Sequence, residues 1–359
     1  MNYSNKHNSL DFSGQSIYVG MDVHNKTWKL CIRTEELELK RMTTEPNPEI
    51  LVRHLRKNYP GASYRCAYEA GYSGFWIQQK LESMGVDCVV VNPGDVPTTN
   101  KEKTYKTDPR DCRKIARGLV NDELNAIYVH SREELENRNL VRMRQLIVKK
   151  ITRVKNQIKS LLAFYGISVN GPDCKSSWTK KHKAYLKTIR LETEHGNYSL
   201  NVLIDELSYQ EESLSKLEKE IKKLSCDIRY FADAKLLVTI PGISLNSAMV
   251  WLTELGDIKR FKSLDQLCNF VGLAPSSNSS GEKEIIGKIS KRGNSYLRRI
   301  LIESSWVAVK KDPAMLAAHN KFCRRMNGNK AIVKIARKLL NRIRSILLNK
   351  QPYRTHVTE

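Results

Sequence analysis

The stretch SIYVGMDVHNKTWKLCIR, residues 16–33, decides the fold of the first part of this 359-residue chain. Apolar side chains at positions 17, 19, 21 and 23 alternate with Tyr18, Gly20 and Asp22, and the alternation resumes at Trp28. A repeat of two residues is typical of a strand that turns one face towards a core. Two such runs joined by a short segment predict a β-hairpin.

The segments that follow alternate between strand and helix patterns. The spacing predicts a helix from Pro48 to about Asn58, a strand at 63–69, a helix from Ser73 to Met84 and a buried strand at 87–92. After Asp108 the apolar positions again have helical spacing. A hairpin followed by alternating strands and helices indicates an α/β domain with a mixed sheet.

The middle of the chain is predicted to be helical. From Leu200 to Ile228 the apolar positions are three and four residues apart, and all but Gln210 are Leu or Ile. This heptad spacing predicts a coiled coil. The stretch 140–161 has similar spacing and a basic outer face, so the two helices either form one hairpin or pair between protomers. An uncovered apolar seam favours a homo-oligomer, either a dimer or a tetramer.

The C-terminal part is predicted to be mainly α-helical, with a Ser/Gly-rich loop at 276–281 and a last helix whose apolar positions run from 332 to 346. Pro241-Gly242 fits either a helix-hairpin-helix turn that binds phosphate or a simple helix start. We therefore expect three domains: an α/β domain at 1–125, a helical coiled-coil region at 126–232 and a helical domain at 233–359.

The charge of the chain is strongly positive and uneven. Sixty-one Lys and Arg against 38 Asp and Glu give a net charge of +23. Between Lys283 and Arg344 there are 17 basic and three acidic residues, and a second basic strip runs from Arg132 to Lys159. One-sided charge of this kind predicts a nucleic-acid partner, with an anionic membrane surface as the alternative.

Other features of the sequence predict a cytoplasmic protein. No apolar run approaches the ~20 residues of a spanning helix, and the N-terminus lacks a signal-peptide pattern. The eight cysteines contain no CxxC pair, and most lie in apolar patterns. We therefore expect reduced core thiols rather than zinc ligands or disulfides.

Four acidic residues stand out by their positions. Asp22 lies within the first strand, Glu69 ends the strand at 63–69, and Asp108 and Asp111 lie on one face at the start of a helix. Carboxylate oxygens are the ligands that Mg²⁺ prefers, and metals held in this way promote phosphoryl transfer. Asp108 and Asp111 also fit helix capping, but a lone carboxylate in a strand core, as at Asp22, is costly without a partner.

Four motifs carry a family resemblance: GMDVHNK (20–26), YEAGYSG (68–74), VNP (91–93) and KTDPRDCRKIA (106–116). They resemble the N-terminal domain of the DEDD transposases of the IS110 family of insertion sequences. That domain is similar to the RuvC Holliday-junction resolvases and has an RNase H-like fold. The resemblance implies that Asp22, Glu69, Asp108 and Asp111 are the four metal ligands.

A Ser/Gly stretch near the C-terminus is followed by a cluster of basic residues. Ser279-Ser280-Gly281 precedes Lys288, Lys291, Arg292, Arg298 and Arg299. On the residues alone, such a loop most often contacts phosphate, because a serine hydroxyl is a poor nucleophile without activation. We expect these basic residues, together with Arg337 and Lys338 of the last helix, to bind nucleic acid.

The segment GLAPSSNSSGEKEIIGKISKRGNSYLRRILIESSW (272–306) is similar to the C-terminal domain of the same transposase family. The family motif is a proline, three variable residues, then Ser, Ser or Thr, and Gly, so the implied nucleophile is Ser279 rather than Ser280. A second glycine is common where this chain has Glu282. The resemblance further implies a covalent phosphoserine, Mg²⁺ and a structured guide RNA encoded by the element. The expected setting is the bacterial cytoplasm, in association with the nucleoid.

Two alternatives remain open from the sequence. In a RuvC-like junction resolvase, metal-activated water would attack the DNA and the serine would only contact it. In an architectural or regulatory DNA-binding protein, the four carboxylates would be structural and the protein would act without metal. A covalent protein–DNA adduct separates the first alternative from a serine recombinase, and metal dependence separates the second.

Overall fold

The structure is a computed structural model that describes residues 11–97, 108–170, 178–280, 283–289 and 292–355. Side chains are described within these ranges except at 108–110 and 275–288. Contacts divide the chain into two compact units, Met1–Val129 and His130–Glu359. The middle and C-terminal regions therefore belong to one unit, and their division into separate domains stays a prediction.

The first unit is built on a five-stranded sheet with the order β3-β2-β1-β4-β5. Its strands are β1 (Ser16–Val23), β2 (Trp28–Arg33), β3 (Glu38–Thr44), β4 (Ser63–Glu69) and β5 (Asp87–Val91). Strands β1, β2 and β3 are antiparallel, whereas β4 runs parallel to both β1 and β5. The predicted hairpin and mixed sheet are confirmed, and this sheet is consistent with an RNase H-like domain.

Helices cover both faces of the sheet. On one face, Ile17, Val19 and Met21 pack with helices α1 (Pro48–Asn58) and α2 (Trp76–Ser83). Helix α1 begins at Pro48 because the side chain of Asn47 accepts a hydrogen bond from the backbone N–H of Glu49. On the other face, Tyr18 packs with helix α3 (Asp108–Val120). The strand periodicity therefore separates two cores.

Two long helices dominate the first part of the second unit. Helix α4 (Arg132–Phe164) is joined through α5 (Lys180–Thr188) to α6 (Glu194–Leu224). The ion pairs Arg144–Glu218 and Lys155–Glu211 show that α4 and α6 run antiparallel. Their apolar faces form one core within a single chain.

This pairing selects the intrachain hairpin of the two arrangements left open by the sequence. Helix α4 covers the Leu200 seam within one chain, and the homo-oligomer stays a prediction. The predicted heptad pattern also continues beyond the end of the helix, because α6 ends at Leu224 and Ile228 is 97% exposed. A coiled coil between protomers is not confirmed.

The remaining helices of the second unit surround a larger apolar core that contains Trp251, Leu301 and Leu339. They are α7 (Phe231–Val238), α8 (Leu245–Leu255), α9 (Leu264–Val271), α10 (Ser295–Lys311), α11 (Pro313–Cys323) and α12 (Gly328–Asn349), with a 3-10 turn at Ile258–Arg260. The predicted apolar positions of α12, from Ile332 to Ile346, are all buried. A mainly helical C-terminal part is therefore confirmed.

The second unit also contains a β-hairpin that the sequence did not predict. Strands β6 (Pro275–Ser280) and β7 (Lys283–Ile289) pair antiparallel, where a loop was expected at 276–281. The loop prediction was wrong because a Ser-rich segment has little strand propensity of its own. Its partner KEIIGKI is rich in β-branched residues, which favour an extended strand.

The described cysteines are free thiols, and five of them are buried: Cys31, Cys66, Cys88, Cys112 and Cys268. Burial raises the pKa of the Cys112 thiol to about 11, so it is protonated and unreactive at neutral pH. The prediction of reduced core thiols is confirmed for these five. Across the described ranges, no helix combines the length and apolar content that crossing a bilayer requires.

Replacing Leu207 with Ala tests the intrachain hairpin. Leu207 on α6 is 1% exposed, so its truncation should lower the free energy of unfolding by about 2–5 kcal/mol. Leu146→Ala on α4, where the side chain is 44% exposed, is the control and should cost under about 1 kcal/mol. Urea denaturation measures both. A loss for Leu207→Ala that disappears as protein concentration rises would contradict the intrachain assignment.

Candidate active site

Gly20, in the middle of β1, allows helix α3 to lie directly on the sheet. A Cβ atom built on Gly20 would lie 2.0 Å from the carbonyl oxygen of Cys112 and 2.3 Å from the backbone nitrogen of Ala116. Both are backbone atoms of α3 and cannot turn aside as a flexible side chain would. Asp22 lies two residues further along the same face of β1. The contact therefore brings the carboxylate-bearing end of β1 close to the start of α3.

Three of the four predicted carboxylates meet in one cleft. Asp22, Glu69 and Asp111 line it together with the apolar side chains of neighbouring residues. Met21 pairs with Tyr68 across the parallel strands β1 and β4. Asp22 and Glu69 therefore occupy equivalent positions where the carboxyl ends of these two strands meet at one edge of the sheet. Asp111 reaches this edge from the first turns of α3. The backbone of Asp108 begins the same helix, and its side chain lies outside the described residues.

A lysine and a histidine contact these carboxylates. The Nζ atom of Lys114 lies 3.9 Å from Oε1 of Glu69 and 3.8 Å from Oδ1 of Asp111. Nε2 of His24 lies 3.1 Å from Oδ1 of Asp22. Sequence reasoning missed both residues, although each had a signal. Lys114 follows Asp111 by three residues on a helix, and His24 follows Asp22 by two residues, directly after β1 ends at Val23.

The donor set of the cleft suits a hard divalent cation, because all three acidic side chains offer oxygen ligands. Among the side chains that the structure describes, no three His, Cys, Asp or Glu groups are grouped closely enough to hold an ion as they stand. An ion would therefore require Asp22, Glu69 and Asp111 to move closer together. These residues, with Asp108, are the ones that could hold it.

The predicted nucleophile lies on the β-hairpin of the second unit. In the backbone register, Ser279 pairs with Glu284 and Ser280 pairs with Lys283, at the end of β6 and the start of β7. The side chains of Ser279, Ser280 and Lys288 lie outside the described residues, as does the whole of Lys291. Their predicted roles therefore stay predictions.

The base of this hairpin is fixed by two glycines and an asparagine. A Cβ atom on Gly293 would lie 2.6 Å from the backbone nitrogen of Gly272, and both residues have positive φ angles, +94° and +80°. The segments that flank the two strands therefore come into close backbone contact. The backbone N–H of Asn294 also donates to the carbonyl of Phe270 at 2.7 Å.

Asn294 is in turn held by a buried carboxylate. Its Nδ2 donates to Oε2 of Glu254 at 2.7 Å, while its Oδ1 caps the first turn of α10. Glu254 is 1% exposed and accepts two further hydrogen bonds from Arg142, at 2.5 and 2.7 Å. These hydrogen bonds raise the pKa of the Arg142 guanidinium. Glu254 thus joins α4, α8 and the start of α10 through charge-assisted bonds.

The basic side chains predicted to bind nucleic acid differ in their contacts within the protein and in their exposure to solvent. Nη1 of Arg298 donates to the carbonyls of Val271 and Arg292, so its charge also stabilises the hairpin base. Arg337 pairs with Asp265, and Arg299 lies 3.6 Å from Glu303. The side chains of Arg292 and Lys338 are exposed. Arg299, Arg337 and Lys338 lie on exposed parts of α10 and α12, where phosphate could reach them.

The turn at Pro241-Gly242 joins α7 to α8. Gly242 has a φ of +88°, and a Cβ atom there would lie 2.9 Å from the carbonyl oxygen of Ser304 on α10. The hydroxyl of Ser304 donates to the carbonyl of Gly242 at 2.9 Å. Close packing against α10 therefore accounts for this glycine, and binding of phosphate at the turn stays a prediction.

Comparison with known proteins identifies the family. An IS110-type DEDD transposase domain matches residues 19–167, and the Transposase IS116/IS110/IS902 family matches residues 234–320. The chain belongs to the IS110/IS116 family of insertion-sequence transposases. It is therefore a DNA-cutting and recombining enzyme. The first matched segment contains the carboxylate cleft, and the second contains Glu254 and the serine hairpin.

Individual relatives have names that agree with the family. The putative transposase y4qE of Sinorhizobium fredii is 30% identical over 243 residues, which cover 68% of this chain and 58% of that protein, under two thirds of its length. The transposase for insertion sequence element IS1533 of Leptospira borgpetersenii is 27% identical over 81% of this chain and 85% of the relative. The transposase for IS1111A of Coxiella burnetii is 28% identical over 79% and 77%, respectively.

Replacing Gly20 with Ala tests the contact that assembles the cleft. The new methyl group would clash with the backbone of α3, so we expect a loss of about 1–3 kcal/mol in the free energy of unfolding. Gly118→Ala on α3 is the matched control, because its Cβ would meet only the flexible side chain of Leu124, at 2.9 Å. It should change stability by less than about 1 kcal/mol. Equal stabilities of the two variants in urea would argue against this role of Gly20.

Proposed function

We propose that this transposase cuts and rejoins DNA at the ends of its element and at its target, using the carboxylate cleft and Ser279 together. The observation that carries the proposal is the convergence of Asp22, Glu69 and Asp111, from three separate elements, in a DEDD transposase domain. Carboxylates gathered in a partly exposed cleft suit metal-assisted phosphoryl transfer, because their oxygens are the ligands that divalent cations such as Mg²⁺ prefer.

The proposed cofactor is Mg²⁺, held by Asp22, Glu69 and Asp111 with Asp108 as a fourth ligand. DEDD domains of this kind typically use divalent metal ions. When bound, such an ion stabilises the attacking and leaving oxygens of a phosphoryl transfer. The protein positions its ligands through β1, β4 and α3, and it keeps the cleft open to solvent on one side.

Ser279 is the proposed nucleophile. Its hydroxyl oxygen would bond to the phosphorus of the scissile phosphodiester, the bond from phosphorus to one sugar oxygen would break, and the hydroxyl proton would pass to solvent or a nearby base. The phosphoserine ester then retains the energy of the broken bond. A sugar hydroxyl of another strand can attack it and release the serine, so rejoining needs no ATP.

The position of Ser279 in the hairpin supports this role. It is the second-last residue of β6, with its backbone in register with Glu284. The Glu254–Asn294 interaction and the contact between Gly272 and Gly293 fix the hairpin base. Rigid support of this kind is what a nucleophile needs, because a small displacement from the phosphorus lowers the rate strongly.

The basic surfaces of the second unit support binding of nucleic acid. The exposed face of α4 carries Lys149, Lys150, Arg153 and Lys159, and the segment from Lys283 to Arg344 has 17 basic and three acidic residues. DNA is one partner of a transposase. We propose a structured guide RNA as a second partner; the family resemblance supports it, and the basic faces offer room for both.

We also propose that the enzyme acts as a homo-oligomer, a dimer or a tetramer. The carboxylate cleft and Ser279 must meet at one phosphodiester, and strand exchange requires more than one cut. An arrangement in which one protomer supplies the cleft and another the serine satisfies both requirements. Since α4 and α6 cover each other within a chain, the contact between protomers must use other surfaces.

A junction resolvase that hydrolyses DNA with metal-activated water is the second candidate. The comparisons do not favour it, because both matched families are transposases. An architectural DNA-binding protein is excluded by the same assignment, since the family consists of enzymes.

Ser279→Ala should abolish the covalent protein–DNA adduct and strand exchange while DNA binding persists, because the basic contacts remain. Ser280→Ala is the matched control and should keep activity, and Asp22→Ala should lose adduct formation through loss of a metal ligand. The assay is a denaturing gel with labelled DNA that traps the cut strand. Adduct that survives Ser279→Ala but not Ser280→Ala moves the nucleophile by one residue, and cleavage with no adduct in any variant supports the resolvase instead.

The double variant Arg299→Ala, Lys338→Ala tests the basic surface. Each lost phosphate contact should reduce the slope of log affinity against log salt by roughly 0.9 for duplex DNA, so we expect a fall of roughly 1.8. The control is Lys216→Ala, Lys223→Ala on α6, where each lysine already pairs with a glutamate 2.7 Å away. Equal slopes for the two double variants would place the DNA elsewhere.

A further inference from the structure

Lys114 lies largely shielded from solvent between two carboxylates of the cleft. Its side chain is only 10% exposed, although lysine is among the residues least often buried without a partner. The Nζ atom lies 3.8 Å from Oδ1 of Asp111 and 3.9 Å from Oε1 of Glu69. One ammonium group therefore lies within ion-pair distance of acidic residues on two different elements, the helix α3 and the strand β4.

The neighbouring basic residue of the same helix shows that this placement is specific. Arg113 points away from the cleft, pairs with Glu38 at 2.8 Å and is 61% exposed. Helix α3 thus places one positive charge beside two carboxylates of the cleft and the next one beside Glu38. Consecutive residues of a helix face different directions, so Arg113 carries a comparable charge on another side of α3.

We infer that Lys114 is a positioning residue that holds Glu69 and Asp111 together before a divalent ion enters, and that it competes with that ion once it arrives. The inference rests on the metal site of the proposed function. It differs from that proposal by assigning a role to a cationic residue that is not a metal ligand.

The charge of Lys114 stabilises the metal-free cleft but disfavours binding of a cation there. Without metal, the carboxylates of the cleft repel one another, and the ammonium of Lys114 offsets that repulsion. An ion bound by the same carboxylates would lie close to the ammonium and be repelled by it. Two like charges a few ångströms apart repel each other more strongly in a partly buried site than in water. Lys114 should therefore stabilise the empty cleft and weaken ion binding.

The test measures binding of Mn²⁺ to the full chain, with free Mn²⁺ followed by electron paramagnetic resonance. Lys114→Met removes the charge and keeps an unbranched side chain that is one atom shorter, so we expect the dissociation constant for Mn²⁺ to fall about tenfold. The metal-free variant should melt at a lower temperature than wild type, and saturating Mn²⁺ should raise its melting temperature by more.

Three further variants make the result specific. Lys114→Arg keeps the charge and should bind Mn²⁺ with an affinity close to wild type. Lys114→Gln removes the charge but keeps a hydrogen-bond donor, so it should tighten binding as Lys114→Met does, even if the methionine variant fails to fold. Arg113→Met removes one positive charge from the same helix outside the cleft and should leave the affinity unchanged.

The outcomes separate this inference from the function on which it rests. Equal Mn²⁺ affinity for wild type, Lys114→Gln and Lys114→Arg would overturn the role of Lys114 and leave the metal site intact. Weaker binding after loss of the charge would overturn it too, since it would make Lys114 a support of the bound state. Failure of wild type to bind Mn²⁺ at all would overturn the proposed metal site and, with it, the inference.

Discussion

The close approach of helix α3 to strand β1 at Gly20 is the contact on which the carboxylate cleft depends. No larger residue fits, because its Cβ would lie 2.0 Å from a backbone oxygen of Cys112. Asp111 lies one residue before Cys112 on the helix, and Asp22 lies two residues after Gly20 on the strand. Backbone packing therefore sets the separation of two acidic residues that are distant in sequence. The parallel pairing of β1 with β4 then adds Glu69 at the same edge.

In the second unit, a buried charge rather than a glycine fixes the positions of the elements around the proposed site. Glu254 is removed from water and is bound by Arg142 and Asn294, so each of its oxygens has a charged or amide donor. Loss of Arg142 would leave a buried charge without its ion-pair partner, which typically costs about 3–5 kcal/mol. The strands that carry Ser279 are thereby tied to the long helix α4. In both units, strong local constraints support residues proposed to act on DNA.

Much of the first unit could be predicted from the sequence, because its strands alternate apolar and polar residues and its helices have clear starts, as at Asn47-Pro48. Strand β3 could not, since ELKRMTT is a polar edge strand with no apolar face to reveal it. The helix that covers the Leu200 seam could not be predicted for a different reason. A heptad seam indicates that another helix packs on it, but it does not show whether that helix belongs to the same chain. Lys114 was missed because burial of a lysine depends on tertiary contacts. The acidic residues were found because carboxylates are unusual within apolar patterns.

Crystals of the transposase soaked in Mn²⁺ and measured at the manganese absorption edge test the central claim most directly, because the anomalous signal locates the ion without reference to activity. The account predicts a peak in the cleft, with carboxylate oxygens of Asp22, Glu69 and Asp111 at roughly 2.0–2.3 Å. Lys114 should be displaced from its position between Glu69 and Asp111. A peak at another place, or an empty cleft at Mn²⁺ concentrations that sustain DNA cleavage, would contradict it.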